Sequence, residues 1–193
     1  MKRLLSLTCL LTIFFLAKAD TYVIDPVPNS YLHNNIGLQY EKDGYYYAAI
    51  EEFKIAILLN PHSASAGSYY NNLGRMYLIA RRYDLAGPCF QKAIKINSNF
   101  IEFYQNLIKT YKAQRKLSYA LNNYIKTVKN NPTNSQAWLT LGLIYREMKN
   151  NDKALDCFDK FLEIEPNLYM SVDVRNIIKA MDKRKKKIII EPL

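Results

Sequence analysis

The 193-residue chain is poor in the residues that most active-site chemistry draws on. It has two histidines, His33 and His62, three cysteines, six glycines and one tryptophan. The histidines form no metal-spaced pair, and no glycine-rich stretch or nucleophile elbow is present. This scarcity argues against an enzyme, and no cofactor or metal is expected. Long apolar runs are scarce too. The longest, residues 4–16, is broken by Ser6 and Thr8 and would span roughly 20 Å as a helix, short of the ~30 Å hydrocarbon core. Lys2 and Arg3 precede it, and Ala17-Lys18-Ala19 follows as a small-x-small site. That order is the signature of a secretory signal peptide. The sequence therefore predicts a leader over residues 1–19 and an exported chain, periplasmic or extracellular, cut after Ala19. An uncut leader kept as an anchor is the other reading of the same residues.

Charge is unevenly spread. The formal net charge is +10; the leader's Lys2, Arg3 and Lys18 account for three of it, leaving +7. Five more positive charges lie in one run, Lys183-Arg184-Lys185-Lys186-Lys187, without which the body carries +2. The basic character belongs to the tail, so it gives no reason to expect nucleic acid as a partner. The run itself offers a weak contact with an anionic membrane or polymer.

What the chain does have is repetition. Asp20 to Asn29 contains two prolines and no helical period, and reads as an extended lead-in. Beyond it, blocks align on Gly37, Gly74, Ile108 and Gly142, at spacings of 37, 34 and 34 residues. Three residues after each comes an aromatic: Tyr40, Tyr77, Tyr111 and Tyr145. An alanine stands nine further on, at Ala49, Ala86, Ala120 and Ala154, and an aromatic four beyond that, at Phe53, Phe90, Tyr124 and Phe158. Each block closes on Pro61, Ser98, Pro132 or Pro166.

The pattern has a physical reading. In the last block Trp138, Leu141 and Tyr145 fall on one face of a helix, and Ala154, Leu155, Phe158, Phe161 and Leu162 form the matching stripe on a second. The short turn between them makes the two helices antiparallel neighbours. Glycine and alanine are small where two backbones cross at ~8–10 Å, and the prolines end each second helix. One such hairpin cannot bury its stripe alone, so it must stack on the next. Val174, Ile177, Ile178 and Met181 form a further helical stripe that would cover the last apolar face.

Block four, with Trp138, Leu141, Gly142, Tyr145, Ala154, Phe158 and Pro166, resembles a tetratricopeptide repeat (TPR) unit at almost every signature position. The resemblance covers about Ser30 to Asn167, and the chain is similar to exported bacterial-type TPR proteins. It implies an all-α fold: a right-handed α-solenoid of four TPR helix pairs plus a C-terminal capping helix. The units are expected at 30–168 (30–63, 67–100, 101–134 and 135–168), the capping helix at 169–182 and a basic tail at 183–193. Residues 62–68 read as a longer loop between the first two units. Block three departs from the pattern, with Ile108 for the glycine and Thr127 for an alanine, so its helices should stand further apart.

The resemblance also implies a concave surface, lined by the first helix of each unit, that binds a protein or peptide partner. Carried over by register, the groove is Asn34, Asn35 and Leu38 in block one and Asn71, Asn72 and Arg75 in block two. Block three supplies Gln105, Asn106, Lys109 and Lys112, and block four Leu143 and Arg146. Asn35, Asn72 and Asn106 recur at one position, where amides either pair with the backbone of an extended ligand or bond the neighbouring helix. The lysines and asparagine of the chaperone-carboxylate clamp found in some TPR domains are missing: Asn34, Leu38 and Glu102 stand in their places. Cys89 and Cys157 occupy one position two repeats apart, well over ~15 Å, too far for a disulfide, and are expected as free thiols. The implied function is an extracytoplasmic scaffold or adaptor. The alternative is an envelope-associated structural protein held to anionic lipid or polymer by its basic C-terminal tail.

Overall fold

The structure, a computed structural model, describes residues 25–190, with side chains as far as Asp182. Those residues form nine helices and no strand. They run α1 Pro26–Lys42, α2 Tyr46–Leu59, α3 Ala64–Ile79, α4 Tyr83–Ile96, α5 Ile101–Ala113, α6 Leu117–Asn130, α7 Ser135–Glu147, α8 Asn151–Ile164 and α9 Tyr169–Ile190. The first eight pair as four antiparallel hairpins, each packed on the next, so the chain is an all-α solenoid.

The four hairpin turns are copies of one another. Gly44, Arg81, Arg115 and Lys149 all adopt positive φ, at 83°, 59°, 58° and 62°. In each turn the following N–H bonds the carbonyl five residues back, as in Tyr45 to Tyr40 and Lys116 to Tyr111, both at 2.8 Å. This is the Schellman ending, in which a left-handed residue lets two orphan carbonyls find donors. Only the first turn places glycine there. The other three hold basic side chains in a conformation that costs roughly 1–2 kcal/mol.

Within a hairpin, the glycine of the first helix receives the aromatic ring of the second. A Cβ on Gly37, Gly74 or Gly142 would lie 2.6, 2.7 or 2.6 Å from the rings of Phe53, Phe90 and Phe158 respectively. All three rings are fully buried. In the third hairpin, Ile108 and Tyr124 take these places, and the two helices stand further apart than in the others, as the sequence implied. The gap shows as a cavity of about 280 Å³ lined by Tyr111, Tyr119, Ala120, Asn123, Tyr124 and Thr127. Burial there pushes the Tyr124 phenol up to about 12.

Three boundaries differ from expectation. The lead-in is not extended throughout: α1 already begins at Pro26, because Asp25 accepts the Val27 N–H at 3.1 Å and proline suits a first helical turn. The residues before Asp25 lie outside the described part, as does the leader. The stretch expected as a loop, 62–68, is helical from Ala64, with Ser63 capping Ala66 N–H at 3.1 Å; the extra residues lengthen α3 by a turn. Finally, the capping helix does not stop at 182. Its backbone stays helical to Ile190, so the basic run continues a helix instead of forming a separate tail.

Candidate functional site: the inner surface of the solenoid

The residues singled out for the groove do lie on the first helices of the hairpins, but the structure divides them into two groups. The asparagines are occupied. Asn72 donates to Asn34 Oδ1 at 3.0 Å, joining α3 to α1. Asn106 donates to Asn71 Oδ1 at 3.0 Å, joining α5 to α3, and Asn71 donates to Glu102 at 3.3 Å. Asn71, Asn72 and Asn106 are all buried. A row of amides open to a ligand backbone is therefore not what the fold makes of them: a buried amide must find a partner, and the neighbouring helix supplies it. Asn35, in the same register on the first of the described hairpins, is exposed.

The charged residues form the second group. Arg75 on α3 pairs with Glu41 on α1, and Lys112 on α5 pairs with Glu147 on α7 at 2.6 Å. Lys109 bonds Asn106 Oδ1 at 3.2 Å, yet its side chain stays exposed. Partial burial raises the Glu41 carboxyl above its ordinary value; the Arg75 guanidinium pulls it down and Glu102 adds to the rise. Ion pairs bridging successive first helices cross-link the inner surface while leaving it polar.

At the fourth hairpin that surface is closed. Leu143 stands in the register of Leu38, Arg75 and Lys109, but is 2% exposed where Leu38 is 38% exposed. One apolar cluster joins Leu139 and Leu143 to Tyr104 and Ile108 on one side and to Met170, Val174 and Met181 of α9 on the other. Leu143 is thus core, not groove lining, because α5 lies close beside α7 here and the apolar cluster they share continues to α9. A cavity of about 470 Å³ remains at that end, between Arg146, Glu147, Lys149 and Asn151 and the α9 residues Ile177, Ala180 and Met181. Arg146 and Gln105 border a smaller hollow of about 80 Å³ with Ile108, Lys109 and Glu147. The usable inner surface runs over α1, α3 and α5. Sequence reasoning passed over Glu41 and Glu147 as partners of its cations, 34 and 35 residues from Arg75 and Lys112.

Cys89 and Cys157 are free thiols, and burial pushes them up to about 11 and about 12. His33 bonds Glu52 through Nδ1 at 2.6 Å, tying α1 to α2.

The register found in the helices is matched independently by a family model. The tetratricopeptide repeat model fits residues 68–100 and 135–168, which are the second and fourth hairpins.

This chain carries tetratricopeptide repeats.

Among curated relatives, it is 27% identical over 129 residues to the BBSome complex member BBS4 of Bos taurus, covering 67% of this chain and 24% of that protein. It is 25% identical over 96 residues to the small glutamine-rich tetratricopeptide repeat-containing protein of Dictyostelium discoideum, covering 50% of this chain and 29% of that one. The chain spans less than a third of the length of these relatives. Among solved structures it is similar to MamA, at 28% identity over 72% of this chain and 80% of that one with a TM-score of 0.47. A tetratricopeptide repeat protein from Parabacteroides merdae matches at 21% identity over 81% and 61% of the two chains, with a TM-score of 0.49.

Proposed function

We propose that this TPR chain is an exported scaffold that holds a protein partner on the inner surface of its first three hairpins. The observation that carries the reading is the contrast along one register: Leu38, Arg75 and Lys109 remain accessible, while Leu143 is buried. A partner segment lying across α1, α3 and α5 meets an apolar position, then a cation held by Glu41, then an exposed lysine. Such a lining suits an extended or helical segment with one apolar anchor and acidic residues after it, since arginine and lysine bond carboxylates. The asparagines serve this surface indirectly, by locking the helices at a fixed spacing. Export rests on the leader signals Lys2, Arg3 and Ala17-Lys18-Ala19 and would show as a mature protein beginning at Asp20 by mass spectrometry.

The test is a crosslinking pull-down from extracellular and envelope fractions with Leu38→Glu, an accessible position whose change leaves the asparagine pairs alone. Loss of a recovered partner supports the groove. Recovery equal to the unmodified chain rejects it.

A further inference from the structure

The hollow in the third hairpin is where this chain departs from its own repeat. Tyr124 stands in the register of Phe53, Phe90 and Phe158, and Thr127 in that of Ala56, Ala93 and Phe161. All six of those equivalents are 0% exposed, packed inside closed hairpins. Asn123 stands in the register of Glu52, Cys89 and Cys157, and is exposed where those are half-buried or buried. A face of α6 that is core in the other hairpins is therefore open in this one. There it carries a phenol, a hydroxyl and an amide. Tyr111 of α5 lines the same hollow, and its phenol oxygen accepts from the Gln91 amide of α4 at 3.2 Å. Tyr119, 66% exposed, and the buried Ala120 complete the lining. None of these residues is among those of the inner surface, so the hollow is separate from the groove.

We infer that this hollow is a saccharide-binding site that takes one neutral sugar ring of an oligosaccharide. Charge narrows the ligand first. Among the described residues, no ionised side chain lines the hollow, so a charged group would enter without a counter-charge. The ionised side chains of α6 are Lys126 and Lys129, both cations, which oppose the quaternary ammonium that three tyrosines could otherwise hold. Hydrogen bonding narrows it further. Neither the Asn123 amide nor the Tyr119 phenol has a partner among the described residues. The Thr127 hydroxyl gives its hydrogen to the Asn123 carbonyl at 3.0 Å, which leaves its oxygen free to accept. The open groups thus both donate and accept, as sugar hydroxyls do, while the C–H groups of a sugar ring rest against tyrosine. A proline-rich segment would also suit the tyrosines, but its prolines lack N–H donors and leave the Asn123 side-chain oxygen unused. The Tyr124 phenol, bonded to Thr140 and Tyr111, ties this wall to α7 and α5.

The experiment is an NMR titration of the isotope-labelled full chain with cellohexaose, maltohexaose and chitohexaose, each to about 10 mM. At least one should shift the side-chain amide signals of Asn123, with Kd on the order of 1 mM or tighter. Tyr119→Ala and Asn123→Ala, both at exposed positions, should keep the helicity and weaken that binding about 10-fold each. Thr127→Phe puts into the hollow the ring that Phe161 supplies in the fourth hairpin, and should abolish binding. Should that variant not fold, the two alanine variants decide the question. A wild-type chain that shifts with none of the three saccharides overturns the inference and leaves a hydrated gap. Binding that survives both alanine changes overturns it too. So do shifts at Asn123 given by decaproline or choline and by no saccharide.

Discussion

The two ends of the inner surface are built from one register and behave as opposites. At the first three hairpins one register runs through Leu38, Arg75 and Lys109, all accessible; at the fourth, the same position is Leu143, buried in the apolar cluster that reaches α9. The repeat supplies the geometry in both places. What differs is whether a neighbouring helix lies over it, and that depends on side chains beyond the repeat, at Met170, Val174 and Met181. A solenoid's binding surface is thus defined as much by where its own capping helix stops as by the residues that line it.

The contrast can be broken most forcefully at the closed end. Val174 is fully buried, so Val174→Asp places an unpaired carboxylate in the apolar cluster that includes Leu139 and Leu143 and should cost about 3 kcal/mol or more. Chemical denaturation would register it, with increased binding of an apolar dye as the closed end opens. A matched pair of truncations gives a sharper reading. Leu143→Ala should cost about 2–4 kcal/mol, whereas Leu38→Ala, the same change in the same register at the open end, should stay within about 0.5 kcal/mol. Equal costs would mean that the two ends are packed alike.

Electrostatics at the open end give a smaller effect. Because burial holds the Glu41 carboxyl above its ordinary value, the folded chain binds that proton more tightly than the unfolded chain. Its contribution favours the fold at acid pH and is lost as pH rises through the elevated value. Arg75→Ala removes the lowering influence of the guanidinium, so the Glu41 titration followed by carbon NMR should move further up. A downward movement would mean that Arg75 does not face Glu41. The smallest expected effect concerns the basic run. Under the rival reading of the chain as a surface-held protein, deleting Lys183–Lys187 abolishes sedimentation with anionic vesicles and high salt mimics the deletion. Under the scaffold reading, partner recovery is unchanged by the deletion.

Much of the architecture was legible because the crossing glycines, the aromatics that fill them and the helix stops answer to one geometric demand repeated four times. Ile108 announced the wider third hairpin for the same reason: a side chain at a crossing keeps two backbones apart. The candidate site was less legible. Asparagine reads identically whether its amide meets a ligand or the next helix, and only the distance between Asn72 and Asn34, or Asn106 and Asn71, decides between them. Leu143 looked like groove lining because no repeat rule says how far a capping helix reaches. Two of the three boundary errors share a cause as well. Proline at Pro26 and the serine-alanine stretch before Tyr69 look like breakers or loop, yet proline fits a first turn and alanine favours a helix once Ser63 has capped it.

The wide crossing at Ile108 also gives the molecule a mechanical grain. Three hairpins are latched by a ring seated on a glycine; the third leans instead on an isoleucine beside a hollow edged with tyrosines. A load drawn along the solenoid, from a partner gripping α1 to anything holding α9, would stretch α5 from α6 before it parted the tighter pairs on either side. The α5–α6 pair is the loosest of the four, and its spacing was set by a single side chain too large for its seat.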